Sequence, residues 1–330
     1  MTRAGCSARS VVAAAVLAVA VPGVGHLGVT AAGATEGFTY GTTTTSRSIE
    51  TYAAIPFETT HGSPSTTVFL EDSHGPFCEG IAGVYDLGLI IDEYASASVP
   101  AYQNPTKARV HNPEDSFPSK KEVSTFPGGP EALADCSTRT EGLATATWGG
   151  YVGDQAIVQS AFSKTVSKRV ADTDMVVNEA TAHVEGIKVG DSLIRSFDSW
   201  LKVEWRPSQD PVVSYRIELQ GLTDGKTDTV SGGEKGFVLS GQNIGGGSYI
   251  SQFNEQAKAH QNDLKVLGRY GFRMLEPRYF EDGVQARKVI EAAVLDGSAG
   301  LAARDGGIGQ NQGIRFGLVR TSGRSVTDAT

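Results

Sequence analysis

Ser192-Leu193-Ile194-Arg195-Ser196-Phe197-Asp198-Ser199-Trp200-Leu201-Lys202-Val203-Glu204-Trp205 alternates in polarity. Leu193, Phe197, Leu201, Val203 and Trp205 share one parity; Ser192, Ser196, Asp198, Lys202 and Glu204 share the other. A β-strand turns successive side chains to opposite faces, so the stretch reads as a strand with one buried and one wet side. After turn chemistry at 207–211, Val213, Tyr215, Ile217 and Leu219 repeat the pattern against Ser214, Arg216 and Glu218. One-sided alternation of this kind belongs to antiparallel sheet. Parallel strands would read as unbroken apolar runs separated by crossover helices.

Upstream, Val176, Ala180, Ala182 and Val184 form a third face, with a turn expected at 186–191. Val158, Phe162, Val166 and Val170 form a fourth, interrupted by Ser160, Lys164 and Lys168 on the same parity. Ile81, Val84, Tyr85, Leu87, Leu89, Ile90 and Ile91 read as buried strand. Residues 35–75 are rich in Thr, Ser and Gly, with four threonines at 42–45; strand propensity is fair there but apolar alternation is poor. Six prolines, Pro100, Pro105, Pro113, Pro118, Pro127 and Pro130, mark 99–135 as a long surface loop, because proline donates no amide to a ladder.

Downstream, Ile250, Phe253, Ala257, His260, Leu264 and Leu267 recur at helical spacing. Ser248 is placed to cap the start and Gly268 to close the end, after a flexible lead of Gly245, Gly246 and Gly247. The stretches 272–280, 284–295 and 314–319 read as further strands. The fold class is therefore mainly β, a β-sandwich-like or α+β arrangement of antiparallel sheets with one packed amphipathic helix near 248–268.

The chain has 330 residues, 29 basic and 37 acidic side chains, and a formal charge of −8. Arg3 and Arg9 precede an apolar run at 11–21, and Ala32-Gly33-Ala34 supplies a small-residue cleavage step. That is the build of a secretory signal, so residues 1–34 are read as a signal peptide and 35–330 as one exported, extracellular domain. The apolar run is too short to span a bilayer, which takes about 20 residues. Cleavage removes two arginines and no acid, making the charge more negative still. An acidic balance argues against nucleic acid and anionic membrane surfaces as partners, and no membrane insertion is expected after cleavage.

Two cysteines lie beyond the signal, Cys78 and Cys136. Outside the cytosol such a pair reads as one disulfide. It would pin the proline-rich stretch and tie both sides of it into a single domain.

Several segments also carry a resemblance: Val99-Pro100-Ala101-Tyr102-Gln103-Asn104-Pro105, the Pro/Gly segment ending in Cys136, Gly186-Ile187-Lys188-Val189-Gly190, and the block from Asn254 through Leu264 to Gly271-Phe272-Arg273-Met274-Leu275-Glu276-Pro277. Their order resembles that of uncharacterised secreted β-rich proteins of actinomycetes, of the choice-of-anchor or hypothetical type. The resemblance implies export and a β-rich build, and it carries no catalytic residues to transfer.

No nucleophile-elbow, zincin, Walker A or C-x-x-C motif is present. Asp72 and His74, near His61, could converge on one strand face, although a solvated loop explains them as well. His111 belongs to no motif, His183 falls on a polar strand face, and His260 falls on the helix stripe. Asp172/Asp174 and Asp224/Asp228 lack the spacing of a calcium loop. Asp92-Glu93 and Glu281-Asp282 are adjacent, so each pair points to opposite faces and cannot flank one glycosidic bond. No cofactor or metal is expected.

The remaining lead is aromatic. Trp148, Tyr151, Trp200 and Tyr249 are candidate exposed binding residues, because rings beside polar groups stack on sugars or anchor partners. The first functional expectation is a non-catalytic secreted protein that binds an envelope glycan or a secreted protein. The alternatives are an extracellular polymer hydrolase using carboxylates from separate strands, and a partner or inhibitor of another secreted protein acting through the 99–135 segment.

Overall fold

A computed structural model describes residues 40–53, 61–71, 77–84, 106–112, 120–125, 130–149, 151–152, 156–223, 236–283, 287–298 and 312–325. Residues 1–34, expected to be a signal peptide, and the His74 neighbourhood lie outside these. The described strands, in chain order, are β1 (Tyr40–Ala53), β2 (His61–Glu71), β3 (Phe77–Val84), β4 (Thr106–Asn112), β5 (Lys121–Thr125), β6 (Glu131–Asp135), β7 (Glu141–Trp148), β8 (Tyr151–Val152), β9 (Ala156–Val158), β10 (Ser160–Arg169), β11 (Val176–Val189), β12 (Ser192–Trp205), β13 (Val212–Thr223) and β14 (Phe237–Gly245). Helices α1 (Gly246–Ala259) and α2 (Gln261–Arg269) follow, then β15 (Arg273–Leu275), β16 (Arg278–Asp282), β17 (Arg287–Glu291), β18 (Val294–Asp296) and β19 (Gln312–Ser325).

They form two antiparallel sheets. The first runs β15-β18-β19-β1-β2-β3-β4, with β17 also beside β19 and β16 beside β17; the second runs β14-β13-β12-β11-β10-β7-β6-β5, with β9 also beside β11 and β8 beside β9. The sheets stack face to face around one core, and Gly37–Thr330 forms one compact unit. This is the mainly β, sandwich-like class that the alternation demands.

The expected disulfide is present and joins the layers. Cys78 on β3 belongs to the first sheet and Cys136, after β6, adjoins the second; their Cα atoms are 5.7 Å apart and both residues are fully buried. Gly142 on β7 makes room for it. A methyl there would lie 2.7 Å from the Cys78 sulfur.

The stretch 99–135 is not one surface loop. It contains β4, β5 and β6, and Pro130 directly precedes β6. None of β4, β5 and β6 contains a proline, so no missing amide interrupts their ladders. The Thr-rich stretch 40–53, poor in apolar alternation, is a central strand flanked by β19 and β2.

That misfit has a physical cause. On β1 the inward residues are Thr42, Thr44, Ser46 and Ser48, all buried, and β10 meets them with Ser163, Thr165 and Ser167. Thr44 Oγ1 lies 3.0 Å from Ser167 Oγ. Ser48 Oγ lies 2.7 Å from Ser163 Oγ, with the Phe162 and Pro64 carbonyls as further acceptors. Ser46 donates to the Thr181 carbonyl at 2.6 Å, and Asn178 Nδ2 donates to Thr321 Oγ1 at 2.7 Å. Buried hydroxyls are tolerated when hydrogen-bonded, so here the sheets meet through a polar seam rather than oil. It also corrects the reading of β10. Phe162 and Val166 face outward, half-buried, while Ala161, Ser163, Thr165 and Ser167 face in.

A second correction concerns the end of β12. Phe197, Leu201, Val203 and Trp205 are buried as expected, but Ile194, not Leu193, continues the core. Gln159, Gly186, Arg195 and Gly221 sit opposite one another in the registers of β9–β10, β11, β12 and β13, and the inward parity of each strand switches there. Gly186 and Gly221 take the positive φ values (64° and 61°) that such a kink needs. β11 thus runs on to Val189, and the turn shortens to Gly190-Asp191.

The predicted helix is bent into two at His260. Gly245, not Ser248, is the N-cap; Ser248 Oγ donates back to the Gly245 carbonyl at 3.0 Å. Closure comes from Gly271 (φ 80°) rather than Gly268. Gly271 N donates to Gly268 O and Phe272 N to Leu267 O, while buried Phe272 and Leu267 supply the apolar clasp of a Schellman end. Tyr249 and Phe253 of α1 pack on Tyr215 with ring centroids 5.3 and 6.0 Å apart, so the helix plugs the core between β13–β14 and the β16–β17 hairpin. Burial there pushes the Tyr215 phenol up to about 12.

Candidate functional site

The aromatic candidates do not form a patch. Trp148 is 5% exposed, because β7 turns Gly142, Ala144, Ala146 and Trp148 inward together. Tyr249 is fully buried, and its hydroxyl donates to the Glu291 carbonyl at 2.8 Å. Both are corrected from exposed binding residues to core. Tyr151 lies on the two-residue strand β8, outside the described side chains.

Of the three with described side chains, Trp200 alone lies on an outer face, that of the second sheet. It is half-buried, and its Nε1 donates to Glu179 at 2.7 Å. The helix does not cover it, since α1 packs on the opposite side of β13. Trp200 stands between Thr181 and Arg216 in register, and the adjoining row pairs His183 with Asp198 and Asp198 with Glu218. His183 Nδ1 lies 2.6 Å from Asp198 Oδ1, and that hydrogen bond raises the imidazole above its ordinary 6.5, against the opposing effect of burial. Arg216 and Gln220 hold the Glu218 carboxyl below its usual range. This face is a solvated lattice of paired charges. His260, likewise, is partly buried, hydrogen-bonded to Asp263 at 3.0 Å and tilted against Phe237.

A concave feature lies on the other outer face. β16, β17, β19, β1 and β2 lie side by side, and their outward residues form two adjoining pockets of about 400 and 270 Å³ that share Arg47, Leu318 and Arg320. The larger has Thr43, Thr45, Ser322, Val289 and Phe69 around it, with Arg287 and Asp282. The smaller adds Glu50, Glu276, Glu291, Arg278 and Arg315. Cross-strand register makes the arrangement: Thr43 faces Ser322, Thr45 faces Arg320 and Arg47 faces Leu318.

A local device sets the geometry. Beyond Arg47 the register of β1 and β19 passes Gly317, which has φ 76° and whose added methyl would strike the Phe197 ring. The inward parity of both strands switches there, so Arg47 and Glu50, three apart, both reach the groove. Arg47 Nη1 lies 2.8 Å from Glu50 Oε1, and Arg315 Nη1 is 3.6 Å from Glu50 Oε2. Arg320 lies 3.8 Å from Glu291, and Arg287 Nη1 donates to Thr43 Oγ1 at 2.9 Å. The guanidinium groups are thereby oriented rather than loose, and a planar fork held in place suits recognition of polar, planar or anionic groups.

Sequence reasoning missed this groove. Its only linear trace is polar residues at period two, Thr43, Thr45, Arg47 on one segment and Arg320, Ser322 on another, hundreds of positions apart. Among the described residues no three His, Cys, Asp or Glu gather as a metal site, and no helix is long and apolar enough to cross a membrane. No protein-family model, curated protein or solved structure matches this chain.

Proposed function

We propose that the protein is a secreted, non-catalytic binding protein and that an envelope glycan lies along the groove of the first sheet. The observation that carries this is the groove itself: an open, two-pocket trough with hydroxyls and oriented guanidinium groups for sugar hydroxyls, and Phe69 and Leu318 for sugar C–H faces. Export is supported by the signal-like N-terminus and by a disulfide, which persists in oxidising compartments. The resemblance to secreted actinomycete proteins points the same way.

The test is retention on insoluble envelope polysaccharide. Thr45→Trp fills the larger pocket and should abolish retention, whereas Trp200→Ala, on the opposite outer face, should leave it unchanged. Retention of the Thr45→Trp protein at the native level refutes the assignment.

Hydrolysis is the second reading, and one observation favours it: Glu50, Glu276 and Glu291 line the smaller pocket together. Glu50, however, has an arginine at each oxygen, an arrangement that leaves neither free to protonate a leaving group. Release of soluble sugars that disappears with Glu291→Gln would replace binding with catalysis.

A further inference from the structure

We infer that the larger pocket is an oxyanion subsite, and that the ligand is an acidic glycan carrying a carboxylate, sulfate or phosphate group. The inference rests on the binding reading above and narrows it. Three guanidinium groups, those of Arg47, Arg287 and Arg320, converge on one pocket that contains a single carboxylate, Asp282. Thr43, Thr45 and Ser322 add hydroxyls on adjacent strands, which can donate to the same anion or to ring hydroxyls beside it. Arg320 sits in the middle of the row, directly opposite Thr45 on one side and Glu291 on the other. Its guanidinium lies 3.8 Å from the Glu291 carboxylate, beyond direct hydrogen-bond distance, and its side chain is 46% exposed. An incoming oxyanion can therefore be met by Arg320 while Glu291 keeps that cation oriented.

The charge of the rest of the molecule sharpens the point. The chain is net acidic, at −8, so a polyanion is repelled by the protein as a whole. Attraction must come from a local, geometrically fixed set of donors, and charge-assisted bonds to arginine provide it.

The experiment compares matched polymers by affinity electrophoresis: polygalacturonate against its methyl ester for carboxylate, and dextran sulfate against dextran for sulfate. Poly(glycerol phosphate) tests phosphate. At low salt the charged member should bind at least about tenfold more tightly than its neutral partner, the difference of one charged hydrogen-bonded contact. Added salt should erase the preference. Arg320→Gln should lose about tenfold on the charged polymer and nothing on the neutral one, with Arg320→Lys in between. Arg287→Gln provides an independent second variant, and thermal melting of each protein verifies that it is folded. Equal affinity for charged and neutral partners, or full affinity in both folded glutamine variants, overturns the inference. Binding to none of these polymers while Thr45→Trp still abolishes envelope retention also overturns it, yet leaves the groove reading standing.

Discussion

Replacing both cysteines of the inter-sheet bridge, as Cys78→Ala/Cys136→Ala, should be among the costliest changes the fold can suffer. The bridge spans a sequence separation of 58 residues. Releasing a loop of that length returns conformational freedom to the unfolded chain worth about 4 kcal/mol on the chain-entropy account. Both sulfurs are fully buried against Val68 and Gly142, so their loss also opens a small void worth roughly 1 kcal/mol. Against a total stability of about 5–15 kcal/mol this is a large fraction. Urea unfolding followed by tryptophan fluorescence measures it, since Trp148 and Trp205 are both in the core. With a slope of about 3 kcal/mol per molar, the midpoint should fall by more than about 1 M. A drop below about 0.3 M at unchanged slope would show that the reduced chain is held by its core alone, and would refute the entropic reasoning. The alanine pair is preferable to reduction, because the bridge lies out of reach of solvent and a reductant would act only through unfolding.

Two further outcomes are expected. Gly317→Ala puts a side chain in the left-handed region and drives its methyl into Phe197, so it should cost about 3 kcal/mol in the same urea assay; a near-neutral result would mean that the β19 kink is not imposed by this glycine. His183 is raised above 6.5 in the folded protein, chiefly by its hydrogen bond to Asp198, so its protonated form is the stabilising one. That contribution is complete below 6.5 and is lost as pH rises through the higher folded value, so the melting temperature should fall over that window. Asp198→Asn should flatten the dependence, and NMR titration showing the His183 imidazole below 6.5 would contradict it.

The sheet-rich class was legible because β12 and β13 pack Phe197, Leu201, Val203, Trp205, Tyr215 and Ile217 against a dry layer, where apolar alternation tracks burial. The bridge was legible from the cysteine count together with the expectation of export. Failures cluster where burial is polar. On β1 and β10 the interior residues are Thr and Ser, so hydrophobic parity pointed the wrong way for Phe162 and Val166 and left Thr42 and Thr44 without a side. The parity reversals at Gly186 and Gly221 were invisible for another reason: glycine has no polarity to mark a kink. Trp148 and Tyr249 are core residues that no window of sequence reveals, because Ala161 opposite Trp148 and Tyr215 beside Tyr249 decide their burial. The groove needs the register of five strands, and no window of sequence contains it.

The hydroxyl seam has a mechanical meaning. An interface of aliphatic side chains resists separation but allows slippage, because one methyl contact replaces another at little cost. Ser48 against Ser163, Thr44 against Ser167 and Asn178 against Thr321 are directional, and a small translation breaks them all at once in a place water does not reach. The layers are bolted against shear. Since β1 carries Ser46 and Ser48 inward and Thr45 and Arg47 outward, those bolts also fasten the floor of the trough on its far side. A ligand arriving there meets donors already in position, with little backbone left to rearrange.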